Sequence, residues 1–118
     1  MKALVLSYAG CSTCTKALKW LREHDVTVDV RPIVDEPPTA AELAVWIPKS
    51  ARPVRKWLNT SGLSYRALDK ERVAAAKDDE IVTWLTKDGK LVKRPVVVAG
   101  KHVLVGFDEQ AYAAAFAG

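Results

Sequence analysis

MKALVLSYAGCSTCTKALKWLREH, Met1–His24, decides how the rest of this chain is read. Met1–Tyr8 is an apolar run of strand length, Ala9-Gly10 is a turn, and Ser12–His24 has helical periodicity. Both cysteines of the protein, Cys11 and Cys14, fall where the strand becomes the helix. A CxxC pair in that context points to redox chemistry. A zinc site would need further Cys or His ligands, and neither His24 nor His102 has such a spacing, so no metal is expected. The two thiols are not equivalent. Cys14, Leu18 and Leu21 recur at i, i+4 and i+7, which turns Cys14 toward the core. Cys11 lies at the helix mouth, where free N–H groups and the positive dipole end favour a thiolate. The pattern predicts an exposed attacking thiol with a sheltered resolving thiol behind it.

Working outward, Val26-Thr27-Val28-Asp29-Val30 alternates strictly and predicts a second strand with its three valines inward, ended by Arg31-Pro32. Thr39-Ala40-Ala41-Glu42 has the form of a capping box opening a helix through Ile47, with Pro48 as its stop. Pro53 suits the first turn of a helix carrying Val54, Trp57 and Leu58, closed by Asn59-Thr60-Ser61-Gly62. Two more short helices are expected, from Asp69 through Ala76 and from Asp78 through Leu85. Pro95–Ala99 and His102–Val105 read as a hairpin around Gly100-Lys101. Asp108 caps a last helix with Tyr112 and Phe116 at i and i+4. The four tryptophans all fall on expected helices, where core packing accounts for them.

The order β-α-β, helices, β-β-α is an α/β, thioredoxin-like plan with an all-helical insertion, about residues 39–86, between strands 2 and 3. Its 118 residues suit one domain. Strands 1 and 2 should be parallel and the last pair antiparallel. A net charge of +4 comes from 18 Lys and Arg scattered among 14 Asp and Glu. That pattern reads as a solvated surface and not as a direct nucleic-acid footprint. No apolar run is long enough to span a bilayer, and Met1–Tyr8 is too short for a signal peptide. With only two cysteines, the expectation is a reducing cytoplasm, where a disulfide is transient.

A fixed constellation adds to this reading: Cys11–Ala17, Glu36–Thr39, Val54-Arg55, Asn59–Arg66, Lys93-Arg94-Pro95 and Val105-Gly106-Phe107. Over essentially the whole chain it resembles the ArsC/Spx/MgsR family, which contains arsenate reductases and redox-sensing transcriptional regulators. The resemblance implies that Cys11 is the nucleophile in an anion-binding loop, that Pro95 is cis with its loop facing Cys11, and that Arg94 and Arg55 match anion-binding arginines. Guanidinium groups suit oxyanions because their planar donors can engage two oxygens. Both arginines also fit an ordinary charged surface. Ser12 and Thr13 can donate to a bound anion or cap the helix, and Lys16 reads as solvated.

Two departures separate this chain from the arsenate reductases it resembles: the second cysteine, Cys14, and Gly106 where they carry a third arginine. The CxxC and the Val-Gly-aromatic segment look like the Spx/MgsR branch, whereas Asn59–Arg66 looks like the reductase-like members. Two functions follow as expectations. One is a thiol–disulfide oxidoreductase in which Cys14 resolves a Cys11 adduct, with no bound cofactor and with glutathione, glutaredoxin or thioredoxin as donor. The other is a redox-sensing regulator whose partner, as the resemblance implies, is the C-terminal domain of the RNA polymerase α subunit.

Overall fold

A computed structural model describes residues 1–117. Four strands form one sheet in the order β2-β1-β3-β4, with β1 at Lys2–Ser7, β2 at Thr27–Pro32, β3 at Val96–Ala99 and β4 at His102–Val105. β1 pairs parallel with β2 and antiparallel with β3, and β3 pairs antiparallel with β4. The fold is α/β and thioredoxin-like, with helices on both faces of the sheet.

The apolar run of β1 follows from its central place. Ala3 and Val5 face α1 (Ser12–Glu23) and α6 (Glu109–Phe116), in a core with Ala17, Leu21, Val97 and Tyr112. Leu6 faces the opposite way, into a larger core with Leu43, Trp57, Ile81, Leu85 and Val96. A central strand covered on both faces needs apolar residues at successive positions, not at alternate ones. Between β2 and β3 run α2 (Ala40–Ser50), α3 (Leu63–Arg66), α4 (Lys70–Ala75) and α5 (Asp78–Lys87).

Several local expectations are corrected. Val30 is 47% exposed although its alternation suggested burial, because β2 is an edge strand of the sheet. The strand also continues through Arg31-Pro32, and an edge strand tolerates proline because its outward N–H needs no partner. α2 opens on the expected capping box, with Thr39 Oγ1 accepting from Glu42 N–H at 3.1 Å and Thr39 N–H donating to Glu42 Oε1 at 2.9 Å. It does not stop at Pro48 but runs to Ser50. Proline forfeits one hydrogen bond there, and only the last turn bears the loss. Ser50 Oγ donates to Ile47 O at 2.7 Å and accepts from Trp57 Nε1 at 3.1 Å, which holds that turn. Val54–Trp57 is a single 3-10 turn, and a short helix at Leu63–Arg66, for which no element was expected, follows it.

Candidate active site

Strand β1 ends at Ser7, and the loop Tyr8-Ala9-Gly10 delivers Cys11 to the N-cap of α1. Cys11 N–H donates to Tyr8 O at 3.1 Å, closing the turn, while Cys11 O accepts from Thr15 N–H at 3.1 Å and Thr15 Oγ1 at 3.2 Å. The backbone at Cys11 is therefore committed and the thiol is left free. No acidic residue stands in the first turn of α1 to oppose a thiolate.

Both cysteines are free thiols, Cys11 half-buried and Cys14 buried. Burial works to raise the Cys11 pKa, but the Cys14 N–H, the Cys14 thiol, the Arg94 side chain and the Thr13 N–H all favour the anion, and together they bring it below its ordinary value. The Cys11 side chain makes no cap hydrogen bond to α1, and its residue lines the cavity. Cys14 is moved the other way. Its burial dominates, and the neighbouring Cys11 adds to the rise, outweighing the Tyr8 backbone and the Ser7 side chain. The pair thus contains one thiol biased to ionise and one biased to stay protonated until its partner is consumed.

A cavity of about 440 Å³ opens over Cys11. Its cations are Arg52, Lys93 and Arg94, and Thr13 stands beside Cys11. Among the described residues, Asp108 is the one carboxylate on the wall, and it is occupied as the cap of α6, accepting from Gln110 N–H at 2.9 Å. The far wall is Val105-Gly106-Phe107. Gly106 sits at φ 81°, and a Cβ there would press on Lys93 Cε at 3.3 Å. The Gly106 segment is tied down twice, by its N–H to Pro95 O at 2.9 Å and by Tyr112 Oη to its carbonyl at 2.7 Å. The Arg94-Pro95 peptide bond is cis and begins the segment that becomes β3.

Arg94 has an unusual seat. Its guanidinium carbon lies 4.7 Å from the centroid of the Tyr8 ring, and Nη1 reaches Lys90 O at 3.4 Å. Its Nε is buried without a hydrogen-bond partner. A Cβ on Gly10 would come within 3.2 Å of the Tyr8 ring, so the glycine leaves that ring room to lie under the guanidinium. The loop before Cys11 therefore aims both the nucleophile and the cation beside it.

Among the residues singled out from sequence, Cys11, Thr13 and Arg94 line this cavity, Cys14 adjoins Cys11, Pro95 follows Arg94 across the cis bond, and exposed Ser12 opens α1. Arg55 does not join them. Its guanidinium donates to the carbonyls of Val73 at 3.0 Å, Ala74 at 3.4 Å and Ala76 at 2.6 Å, holding the end of α4. Arg52 lines the cavity in its place, with its N–H bonded to Ser50 Oγ at 3.2 Å. Nothing in the order of residues marked Arg52, because its placement depends on the left-handed backbone of Ala51. Tyr8 carries a sequence signal of its own: an aromatic residue in the same short loop as the nucleophile.

The model of the ArsC family matches residues 6–115. The chain belongs to the ArsC family. YusI, an uncharacterized protein of Bacillus subtilis, is 41% identical over 106 residues, covering 89% of this chain and 90% of YusI. The global transcriptional regulator Spx of Streptococcus mutans is 28% identical over 109 residues, covering 92% of this chain and 78% of Spx. The crystal structure of an ArsC family related protein from Bacteroides fragilis has a TM-score of 0.91 at 45% identity, covering 97% of both chains. This ArsC-family chain is thus similar both to an ArsC family related protein and to a transcriptional regulator. No helix among the described residues is long and apolar enough to cross a membrane.

Proposed function

We propose that this ArsC-family protein is a thiol–disulfide oxidoreductase with Cys11 as nucleophile and Cys14 as resolving thiol. The observation that carries the reading is the opposed bias of two neighbouring thiols, of which Cys11 opens into a cation-lined cavity and Cys14 is buried behind it. Cys11 thiolate attacks one sulfur of a substrate disulfide. A Cys11–substrate disulfide forms, and the other substrate sulfur leaves as a thiolate that takes a proton from solvent. Cys14 then loses its proton and attacks Cys11 Sγ, releasing the second substrate thiol and leaving a Cys11–Cys14 disulfide. Two electrons from a thiol donor, glutathione, glutaredoxin or thioredoxin, restore both thiols. Arg94 stabilises the Cys11 thiolate, and Arg94, Arg52 and Lys93 draw an anionic substrate toward it.

Turnover of a model disulfide with each donor, in wild type, Cys11→Ser and Cys14→Ser, tests this. Cys11→Ser is expected to abolish turnover, and Cys14→Ser to accumulate a mixed disulfide on Cys11. Undiminished turnover in Cys11→Ser overturns the mechanism. The similarity to Spx favours one second reading: the same disulfide reports oxidation to the RNA polymerase α subunit. Redox-dependent binding to α would support that reading, and identical binding by the oxidised and reduced protein would refute it.

A further inference from the structure

A second cavity, of about 530 Å³, lies on the helical insertion between the 3-10 turn at Val54–Trp57, α3 and α4. Its floor is apolar, made by Tyr65, Leu68 and Val73, and its rim carries Arg66 and Lys70. Arg55 also borders it, fixed by the three carbonyls at the end of α4. Among the described residues, no carboxylate lines the cavity. Two acidic residues flank Lys70 in sequence and neither lines the cavity: Asp69 is committed to the cap of α4, its Oδ1 accepting from Glu71 N–H at 2.9 Å, and Glu71 lies in the first turn of that helix. Three cations therefore surround an apolar floor without a neutralising partner on the wall. A volume of several hundred Å³ with apolar walls and a few convergent polar groups is the usual form of a small-molecule site.

We propose that this cavity binds an amphipathic anion: a carboxylate or phosphate on an aromatic or short apolar body. The anionic head would meet the Arg66 and Lys70 side chains, which are exposed and free to turn inward, and the body would cover Tyr65, Leu68 and Val73. The site is separate from the Cys11 cavity, yet the two share a wall. Thr60 faces the second cavity, while its neighbours Asn59, Ser61 and Gly62 line the first. A ligand here touches the segment that borders the redox site.

The experiment is a titration of isotopically labelled protein with phenyl phosphate and, separately, 3-phenylpropanoate, following backbone amide shifts. Inorganic phosphate and benzyl alcohol serve as controls that supply only the head or only the body. Saturable shifts centred on Thr60, Tyr65 and Val73 are expected with at least one amphipathic anion, and its identity names the head group preferred. The controls should not saturate over the same range. Arg66→Gln/Lys70→Gln should weaken binding about tenfold or more while the thermal unfolding curve stays put, since both side chains are exposed. Arg94→Ala, which removes a cation from the other cavity, should leave the affinity unchanged. Shifts confined to the Cys11 cavity, equal affinity in the double variant, or no saturation with either anion would each overturn the proposal.

Discussion

Replacing Tyr8 by leucine removes the aromatic face under Arg94 while keeping an apolar side chain in the loop. The guanidinium lies 4.7 Å from the ring centroid. Such a contact is worth about 0.5–1 kcal/mol when exposed and about 2 kcal/mol when desolvated. Arg94 is half-buried, so about 1 kcal/mol is the appropriate figure. That corresponds to roughly a fivefold change in how often Arg94 stands against Cys11. Arg94 is one of several groups lowering the Cys11 pKa, after the Cys14 N–H and thiol, so the effect on Cys11 is bounded by that factor. Below the Cys11 pKa, the alkylation rate follows the thiolate fraction. The measurement is the pH dependence of iodoacetamide modification of Cys11, localised by fragment mass spectrometry. Tyr8→Leu should move the inflection upward and slow modification near neutral pH by up to about fivefold. Tyr8→Phe, which keeps the ring face, should match wild type, and Arg94→Ala should slow the reaction at least as much as Tyr8→Leu. If Tyr8→Leu matches wild type while Arg94→Ala is slowed, the ring does not position the guanidinium and the reasoning fails.

Other consequences follow from the same structure. Tyr112→Phe leaves the buried Gly106 carbonyl without its 2.7 Å donor and should cost about 1–3 kcal/mol in urea unfolding. Gly89→Ala drives a Cβ into the carbonyl of Ile33, backbone against backbone, and should cost at least about 3 kcal/mol or prevent folding altogether. Glu42 is paired with Arg31 at 2.8 Å, and that hydrogen bond, assisted by the Thr39 N–H, outweighs burial and holds its carboxyl below the ordinary range. A depressed folded-state pKa contributes stability above the unfolded value of about 4.3, which is lost as the pH falls through the folded value. Glu42→Gln should therefore be less stable than wild type by about 1 kcal/mol at pH 7. Denaturant melts should show that gap closing on acidification, and a gap that widens toward low pH would contradict the assignment.

Periodicity alone specifies much of this molecule. The apolar run of β1, the 3.6-residue pattern of α1 and the Thr39–Glu42 capping box are local signals, because short-range geometry alone dictates which residues can serve. The asymmetry of Cys11 and Cys14 was legible for the same reason: three residues of helix carry one thiol from the mouth to the core face. What tertiary structure decided concerns residues whose surroundings come from elsewhere in the chain. Val30 alternates like a buried residue, yet its exposure depends on β2 lying at the sheet edge. Arg55 and Arg52 are equally cationic and only a few positions apart. The carbonyls ending α4 claim the first, and the second, which follows the left-handed Ala51, lines the cavity that Cys11 opens into. Local sequence thus specified the strand, the helix and the order of the two thiols, since backbone propensity and periodicity act over a few residues. The cations that surround the nucleophile were chosen by chain packing, since a charge's partner is set by distance in space and not by distance along the chain.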